Sequence, residues 1–146
     1  PDADVIAGVA TGAIAHGMLI AHFLGKPFIY VRPKPKDHGT GSQIEGILAE
    51  GSKVVVVEDL ISTGMSSLAA VDALNKAGAE VMGMVAIFSY NFNVSRRAFE
   101  NANVELNTLT NYDALVEVAS ETGYIKESDI GLLKEWRYSP STWGQE

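Results

Sequence analysis

The sequence predicts an α/β fold: a central, mostly parallel sheet flanked by helices. Three observations carry this. Short β-type runs alternate with amphipathic helical stretches along the chain, which implies right-handed crossovers and a parallel sheet. The run "KVVVVE" (53–58) is apolar almost without interruption, as in a strand covered on both faces. The segments rich in Gly, Ser or charge (8–12, 32–46, 58–66 and 88–93) each follow a strand. Ligands of such sheets bind beyond the carboxyl ends of the strands.

Each element has its own signal. "DVIAGVA" (4–10) reads as a strand ending in a Gly-containing turn. "AIAHGMLIAHFLG" (13–25) reads as a helix closed by Gly25, and "KPFIYV" (26–31) as a strand. "RPKPKDHGTGSQIEG" (32–46) has Pro, Gly and charge without an apolar period, so it is expected to be a long mobile loop. After the strand at 53–58, "SSLAAVDALNKAGAE" (66–80) sets Leu68, Val71 and Leu74 on one helical face and stops at Gly78. "VMGMVAIFSY" (81–90) is the next central strand, 94–103 a short helix and 104–110 a further strand. "NYDALVEVASETG" (111–123) reads as a helix capped by Asn111 or Asp113. The tail holds one more short helix.

The chain has 146 residues, the length of one domain with a real core, and the whole of 1–146 is read as a single domain. Pro1 stands at the start without a Met, directly before a strand, so the chain is read as a piece that has lost N-terminal sequence. Hydrophobic residues make up 47 %, yet no apolar run is long enough to span a bilayer. No membrane partner is therefore expected. Cysteine is absent, which excludes disulfides and thiolate metal sites and fits a cytoplasmic setting. The net charge of −7 argues against a nucleic-acid surface. Against this acidic background Arg32, Lys34 and Lys36 fall close together, with His38 just after. A basic island of this kind suits a small polyanion.

The most informative stretch is "VVVVEDLISTGMSS" (54–67). Residues Ser62 to Ser66 present consecutive backbone N–H groups at a predicted helix N-terminus, a geometry that attracts phosphate. The hydroxyls of Ser62, Thr63, Ser66 and Ser67 are expected to add donors. Taken alone, the turn reads better as an ordinary N-cap, where Ser and Thr are common. Glu58 and Asp59 alter that balance. Two carboxylates contiguous with an anion turn call for a ligand that also carries vicinal hydroxyls, a metal ion or developing positive charge. A ribose 5-phosphate whose C1 becomes cationic fits this description. Two other segments imitate known loops without matching them. "GILAEGSK" (46–53) has Gly-Ser-Lys where a Walker A loop needs Gly-Lys-Ser/Thr, and it precedes a strand; "GTGSQI" (39–44) lacks the third Gly of a dinucleotide fingerprint.

The 54–67 stretch closely resembles the motif by which type I phosphoribosyltransferases bind 5-phosphoribosyl pyrophosphate (PRPP). "RPKPKDHGTGSQIEG" resembles the mobile catalytic loop of orotate phosphoribosyltransferases, with its Lys-Asp-His-Gly core. "IAGVATGAIAHG" resembles that family's pyrophosphate-side loop, and "LTNYDALVEVA" its C-terminal part. The resemblance covers essentially the whole chain and implies an N-terminally truncated phosphoribosyltransferase core without the hood that covers orotate. It implies transfer of ribose 5-phosphate from PRPP to orotate, giving orotidine 5′-monophosphate and pyrophosphate in UMP synthesis. It further implies a homodimer with shared active sites.

By this resemblance Arg32, Lys34, Lys36 and His38 bind the pyrophosphate, with Arg32, Lys36 and His38 reaching across the dimer interface. Glu58, Asp59, Leu60, Ile61, Ser62, Thr63, Gly64, Met65 and Ser66 form the PRPP segment. The acids lie on ribose and the Thr63–Ser66 turn on the 5′-phosphate. Ser62 also matches an orotate contact. Lys36, His38 and Asp59 are the implied catalytic residues. Mg²⁺ is expected, bound mainly through PRPP, with no dedicated protein cage. Three departures stand out. Pro33 replaces a frequent Lys, with Lys34 one place later. Gly12 stands where some members have a Lys. "FSYNFNVSRR" aligns poorly where some members hold orotate with an Arg, so neither Arg96 nor Arg97 is given that role. His16 and His22 read as surface or packing residues, and Trp136 and Trp143 as local packing. The rival readings are a purine-base phosphoribosyltransferase, a PRPP-binding regulator without turnover, and an inactive fragment.

Overall fold

The computed structural model describes residues 2–34 and 42–143. Six strands form one sheet: β1 (Val5–Val9), β2 (Phe28–Val31), β3 (Ile44–Glu45), β4 (Lys53–Ile61), β5 (Glu80–Ser89) and β6 (Leu106–Asn111). The spatial order is β3-β2-β1-β4-β5-β6. All neighbours run parallel except β3, which lies antiparallel on β2. Among the described residues five α-helices accompany the sheet: α1 (Ile14–Leu24), α2 (Met65–Lys76), α3 (Asn93–Asn101), α4 (Tyr112–Glu121) and α5 (Ile130–Tyr138), the last preceded by a 3-10 turn at Glu127–Asp129.

The sheet is covered on both faces, as the valine run requires. On one face Val54, Val56 and Met84 pack against Ala70, Val71 and Leu74 of α2 and Phe99 of α3. On the other, Ile6 and Val57 pack against Ala13 and Ala21 at α1, with Val55 half-buried beside them. β4 therefore alternates between two cores, which a strand of period two can do only when every position is apolar.

Two boundaries differ from the expectation. β4 continues through Glu58, Asp59 and Leu60 to Ile61, because its ladder with β5 persists at Glu58↔Ala86, Leu60↔Phe88 and Ile61↔Ser89. Asp59 thus joins Glu58 within the strand, past the expected end at Glu58. The segment 32–46, read as loop throughout, contains β3, whose Ile44 and Glu45 pair with Val31 and Tyr30. Gly25 closes α1 in the left-handed conformation, and the Asn111 side chain caps α4 by accepting from the Ala114 N–H at 3.1 Å. Asp113 lies in the first turn and does not provide the cap.

Candidate active site

The carboxyl ends of β1, β2 and β4 enclose a cleft of about 250 Å³. Its walls include Thr11 and Gly12 from the β1–α1 loop, Arg32 after β2, Glu58 and Asp59 of β4, and Ser66 of α2. Asp59 reaches toward the β1–α1 loop. A Cβ built at Gly12 would lie 2.0 Å from Asp59 Oδ2. Any side chain there would therefore displace the carboxylate, which gives a physical reason for glycine where a longer residue was contemplated. Leu60 N–H donates to Asp59 Oδ1 at 2.7 Å and leaves the other oxygen to the cleft.

Glu58 is placed differently. Adjacent strand residues point to opposite faces, and Glu58 turns toward α2. Its carboxylate accepts from the Ser67 hydroxyl at 2.8 Å and from the Asp59 N–H at 3.1 Å. Both partners in the side-chain bond are deeply buried, Glu58 at 5 % exposure and Ser67 at 1 %. Burial pushes the Glu58 carboxyl up to about 7, and the Ser67 hydrogen bond partly opposes that rise. The two acids are thus unequal: Asp59 borders the open cleft, whereas Glu58 is fastened to the second helix. Ser67, counted among the turn's free donors, is spent on Glu58. The signal that could have found this was the period-two alternation of β4 together with the face of α2 that carries Ala70, Val71 and Leu74.

The turn after β4 has the form expected of an anion site. Gly64 is the N-cap of α2, with φ +82°, and no side chain caps the helix. The first intrahelical bond runs from the Leu68 N–H to the Gly64 carbonyl. The amides before it are left for a ligand, reinforced by the helix dipole. Gly64 is required twice over. Its φ disfavours any other residue, and a Cβ would lie 2.8 Å from the Phe99 ring. Ser62, Thr63, Met65 and Ser66 are all exposed around this turn. Ile61 is fully buried, so its side chain belongs to the core and not to a substrate contact. Leu60 is 40 % exposed and shares an apolar groove with Phe88, Tyr90 and Tyr112.

Ser62 and Thr63 open onto a second cleft with Tyr90, Asn91, Asn93, Arg96 and the segment 136–142. The turn is therefore a ridge between two clefts. Arg32 borders the Asp59 cleft, and its guanidinium lies 3.5 Å from Glu45 of β3. Lys34 is exposed. Lys36 and His38 lie outside the described residues. His16 is exposed and bonds the Gly12 carbonyl at 3.1 Å; His22 is also exposed. Among the described residues no group of three or more His, Cys, Asp or Glu could hold a metal. None of the helices described is long and apolar enough to cross a membrane.

The comparisons with known proteins agree with this geometry. The phosphoribosyl transferase domain family matches residues 2–117. The orotate phosphoribosyltransferase of Porphyromonas gingivalis is 56 % identical over 143 residues, 98 % of this chain and 68 % of that protein. That of Bacteroides thetaiotaomicron is 59 % identical over 140 residues, 96 % of this chain and 66 % of that protein. The crystal structure of orotate phosphoribosyltransferase from Aeropyrum pernix superimposes with a TM-score of 0.72 at 29 % identity, over 85 % of this chain and 67 % of that one. The chain spans about two thirds of the length of the curated relatives it matches. With an uncapped α2 N-terminus directly after a strand-end acid pair, and with this similarity over nearly its whole length, the chain belongs to the phosphoribosyltransferase family and, within it, to the orotate phosphoribosyltransferases.

Proposed function

We propose that the protein transfers the ribose 5-phosphate of PRPP to orotate, giving orotidine 5′-monophosphate and pyrophosphate, a step of UMP synthesis. One observation carries the reading. An accessible carboxylate, Asp59, and an uncapped helix N-terminus at Gly64 are separated by only a four-residue segment, 60–63. That spacing matches a ligand with hydroxyls at one end and a phosphate at the other. In the reaction the bond from C1 to pyrophosphate oxygen breaks and its electron pair leaves with pyrophosphate; an orotate ring nitrogen bonds C1 and gives up its proton to the departing pyrophosphate or to water. Asp59 faces the ribose and counters the positive charge that develops at C1, an interaction strongest in the transition state. The amides around Gly64 to Ser66 take the 5′-phosphate. Glu58 supports the ribose side from behind, held by Ser67.

Arg32 and Lys34, with Lys36 and His38 of the segment that follows in sequence, neutralise the departing pyrophosphate. Mg²⁺, carried in with PRPP, would supply further positive charge to the departing pyrophosphate. Of the two carboxylates that line the cleft, Glu58 is 5 % exposed and bonded to Ser67, which leaves Asp59 the more open one and fits a metal carried in by its substrate and not by a protein cage. The acting unit is a homodimer in the cytoplasm, without nucleic-acid or membrane partners. Helix α1 supports the dimer: Met18, Leu19, Phe23 and Leu24 are all at least half exposed, and large apolar side chains clustered on one helix favour an interface. Lys36 and His38 reach across the interface. Arg32 must leave Glu45 to do the same.

The test is consumption of orotate with PRPP and Mg²⁺, measured for this chain and for a full-length version, with adenine and hypoxanthine in parallel. Orotate consumption by the full-length protein is expected. Its absence, or turnover of a purine base instead, refutes the reading.

A further inference from the structure

A cluster of aromatic rings at the carboxyl end of β5 takes no part in the chemistry above. Tyr90 stacks on Phe92 with centroids 5.2 Å apart and planes within 6°, and meets Phe88 edge-on at 5.2 Å. Trp136 of α5 closes the cluster, 5.6 Å from Tyr90, 6.0 Å from Phe92 and 5.3 Å from Tyr112. Two contacts hold α5 on α4 around Trp136. The Tyr112 hydroxyl donates to the Leu133 carbonyl at 3.2 Å, and Arg137 pairs with Asp113.

Two short paths lead from these rings to the Ser62–Gly64 turn. The Tyr90 N–H donates to the Ile61 carbonyl at 3.1 Å, one residue before Ser62. The Phe92 carbonyl accepts from the Ser95 hydroxyl at 2.8 Å. Ser95 and Phe99 then form the wall behind Gly64, with the Phe99 ring 2.8 Å and the Ser95 Cβ 3.7 Å from a Cβ built there. Trp136 touches the origin of both paths. It also lines the same cleft as Ser62 and Thr63.

We propose that Trp136 is a positioning residue for the Ser62–Gly64 turn, acting through Tyr90 and Phe92, and that it thereby sets how tightly the turn holds the phosphate of PRPP. This rests on the PRPP-binding reading given above. α5 follows the α/β core, yet its Trp136 ring buttresses both edges of the turn. Loss of that ring lets the turn drift while Asp59, on the other side of β4, keeps its place. The phosphate end of PRPP is then held less well, with the reacting centre intact.

The experiment compares full-length wild type with Trp136→Ala, Trp136→Phe and a control, Val116→Ala, which opens a cavity at a buried α4 residue outside the ring cluster. For Trp136→Ala the KM for PRPP should rise about tenfold, below the ~10²-fold that a 1 Å misplacement of reacting groups can cost. Turnover at saturation and the KM for orotate should stay within about twofold. Trp136→Phe should restore most of the PRPP KM, and Val116→Ala should leave it unchanged. If Trp136→Ala does not fold, Trp136→Leu is read in the same way. An unchanged PRPP KM, a loss confined to turnover, or an equal effect in Val116→Ala overturns the proposal. If wild type consumes no orotate, the functional reading has failed, and calorimetric PRPP affinities of the same variants still decide the role of Trp136. No PRPP binding by wild type overturns both.

Discussion

The Ser67 hydroxyl and the Glu58 carboxylate share a 2.8 Å hydrogen bond in a region almost closed to solvent. The bond ties the first turn of α2, the helix that follows the Ser62–Gly64 turn, to the strand that carries Asp59. It also explains how two adjacent acids coexist at the end of a valine strand. They point to opposite faces: Glu58 is fastened to Ser67 and nearly closed to solvent, whereas Asp59 is the more open of the two along the cleft. Glu58 near neutrality carries a charge only part of the time.

This relationship predicts a pH dependence of stability. Glu58 has an ordinary value of 4.5 and is pushed up to about 7 by burial. Between those values the folded state holds more proton than the unfolded chain, so stability falls as pH rises through the window and levels off above it. The shift corresponds to roughly 3 kcal/mol. Glu58→Gln, neutral and nearly isosteric, should lack this component. Urea unfolding of wild type and variant at pH 5, 6, 7 and 8 should give a difference that grows in favour of the variant with pH. Parallel curves for the two proteins would contradict it.

Ser67→Ala removes a partner that favours the charged form of Glu58. The variant should lose about 1–3 kcal/mol, the range for a buried polar group deprived of a bond. The loss should be larger at pH 8 than at pH 5, because the carboxylate depends on the hydroxyl more than the carboxylic acid does. A loss independent of pH would mean that the cavity, not the bond, sets the effect.

Asp59→Asn should reduce turnover by ~10²–10³ and affect PRPP binding much less, since the carboxylate gains most when C1 becomes cationic. Gly12→Ala should act in the same direction. Its methyl occupies the place of Asp59 Oδ2, so the carboxylate must turn away, and misplacement of about 1 Å can cost ~10²-fold. Gly12 itself is exposed, so thermal stability should change little. Steady-state kinetics and a melting curve on Gly12→Ala separate the two effects. Normal turnover in either variant would remove Asp59 from the reaction.

The sequence carried the sheet because the valine run and the Gly- and Asn-marked helix ends are local signals that tertiary packing then reinforced. It failed where backbone pairing overrides side-chain character. β4 passes through two acids because its ladder to β5 is made by peptide groups, indifferent to the charge of Glu58 and Asp59. β3 is too short for any periodicity. The turn after β4 was legible through Gly64, whose positive φ and close approach to Phe99 both require glycine. Ser67 was illegible as a fastener because nothing local separates it from Ser66, its neighbour: only the helix phase buries one and exposes the other. Trp136 read as packing, and its links to Tyr90 and Phe92 arise from contacts more than forty residues apart in sequence.

The last prediction concerns Lys36, which lies in the basic segment after β2. If Lys36 acts across a dimer interface, two inactive variants should rescue each other. Full-length Lys36→Ala subunits are mixed with full-length Asp59→Ala subunits and allowed to exchange. Each parent dimer has two dead sites, one kind lacking its cation and the other its ribose carboxylate. In a mixed dimer one site receives Lys36 from the Asp59→Ala subunit and Asp59 from the Lys36→Ala subunit, so it is complete; the other lacks both. With free exchange about half the dimers are mixed, and each has one good site. Activity should therefore approach roughly a quarter of wild type, as the arithmetic of a closed two-fold dimer requires. If Lys36 instead serves its own subunit, every site in every dimer lacks one group and mixing restores nothing. Activity that stays at the parental level, with exchange verified by mass-tagged subunits, would show that each cleft is completed by its own chain and would leave the reaction itself untouched.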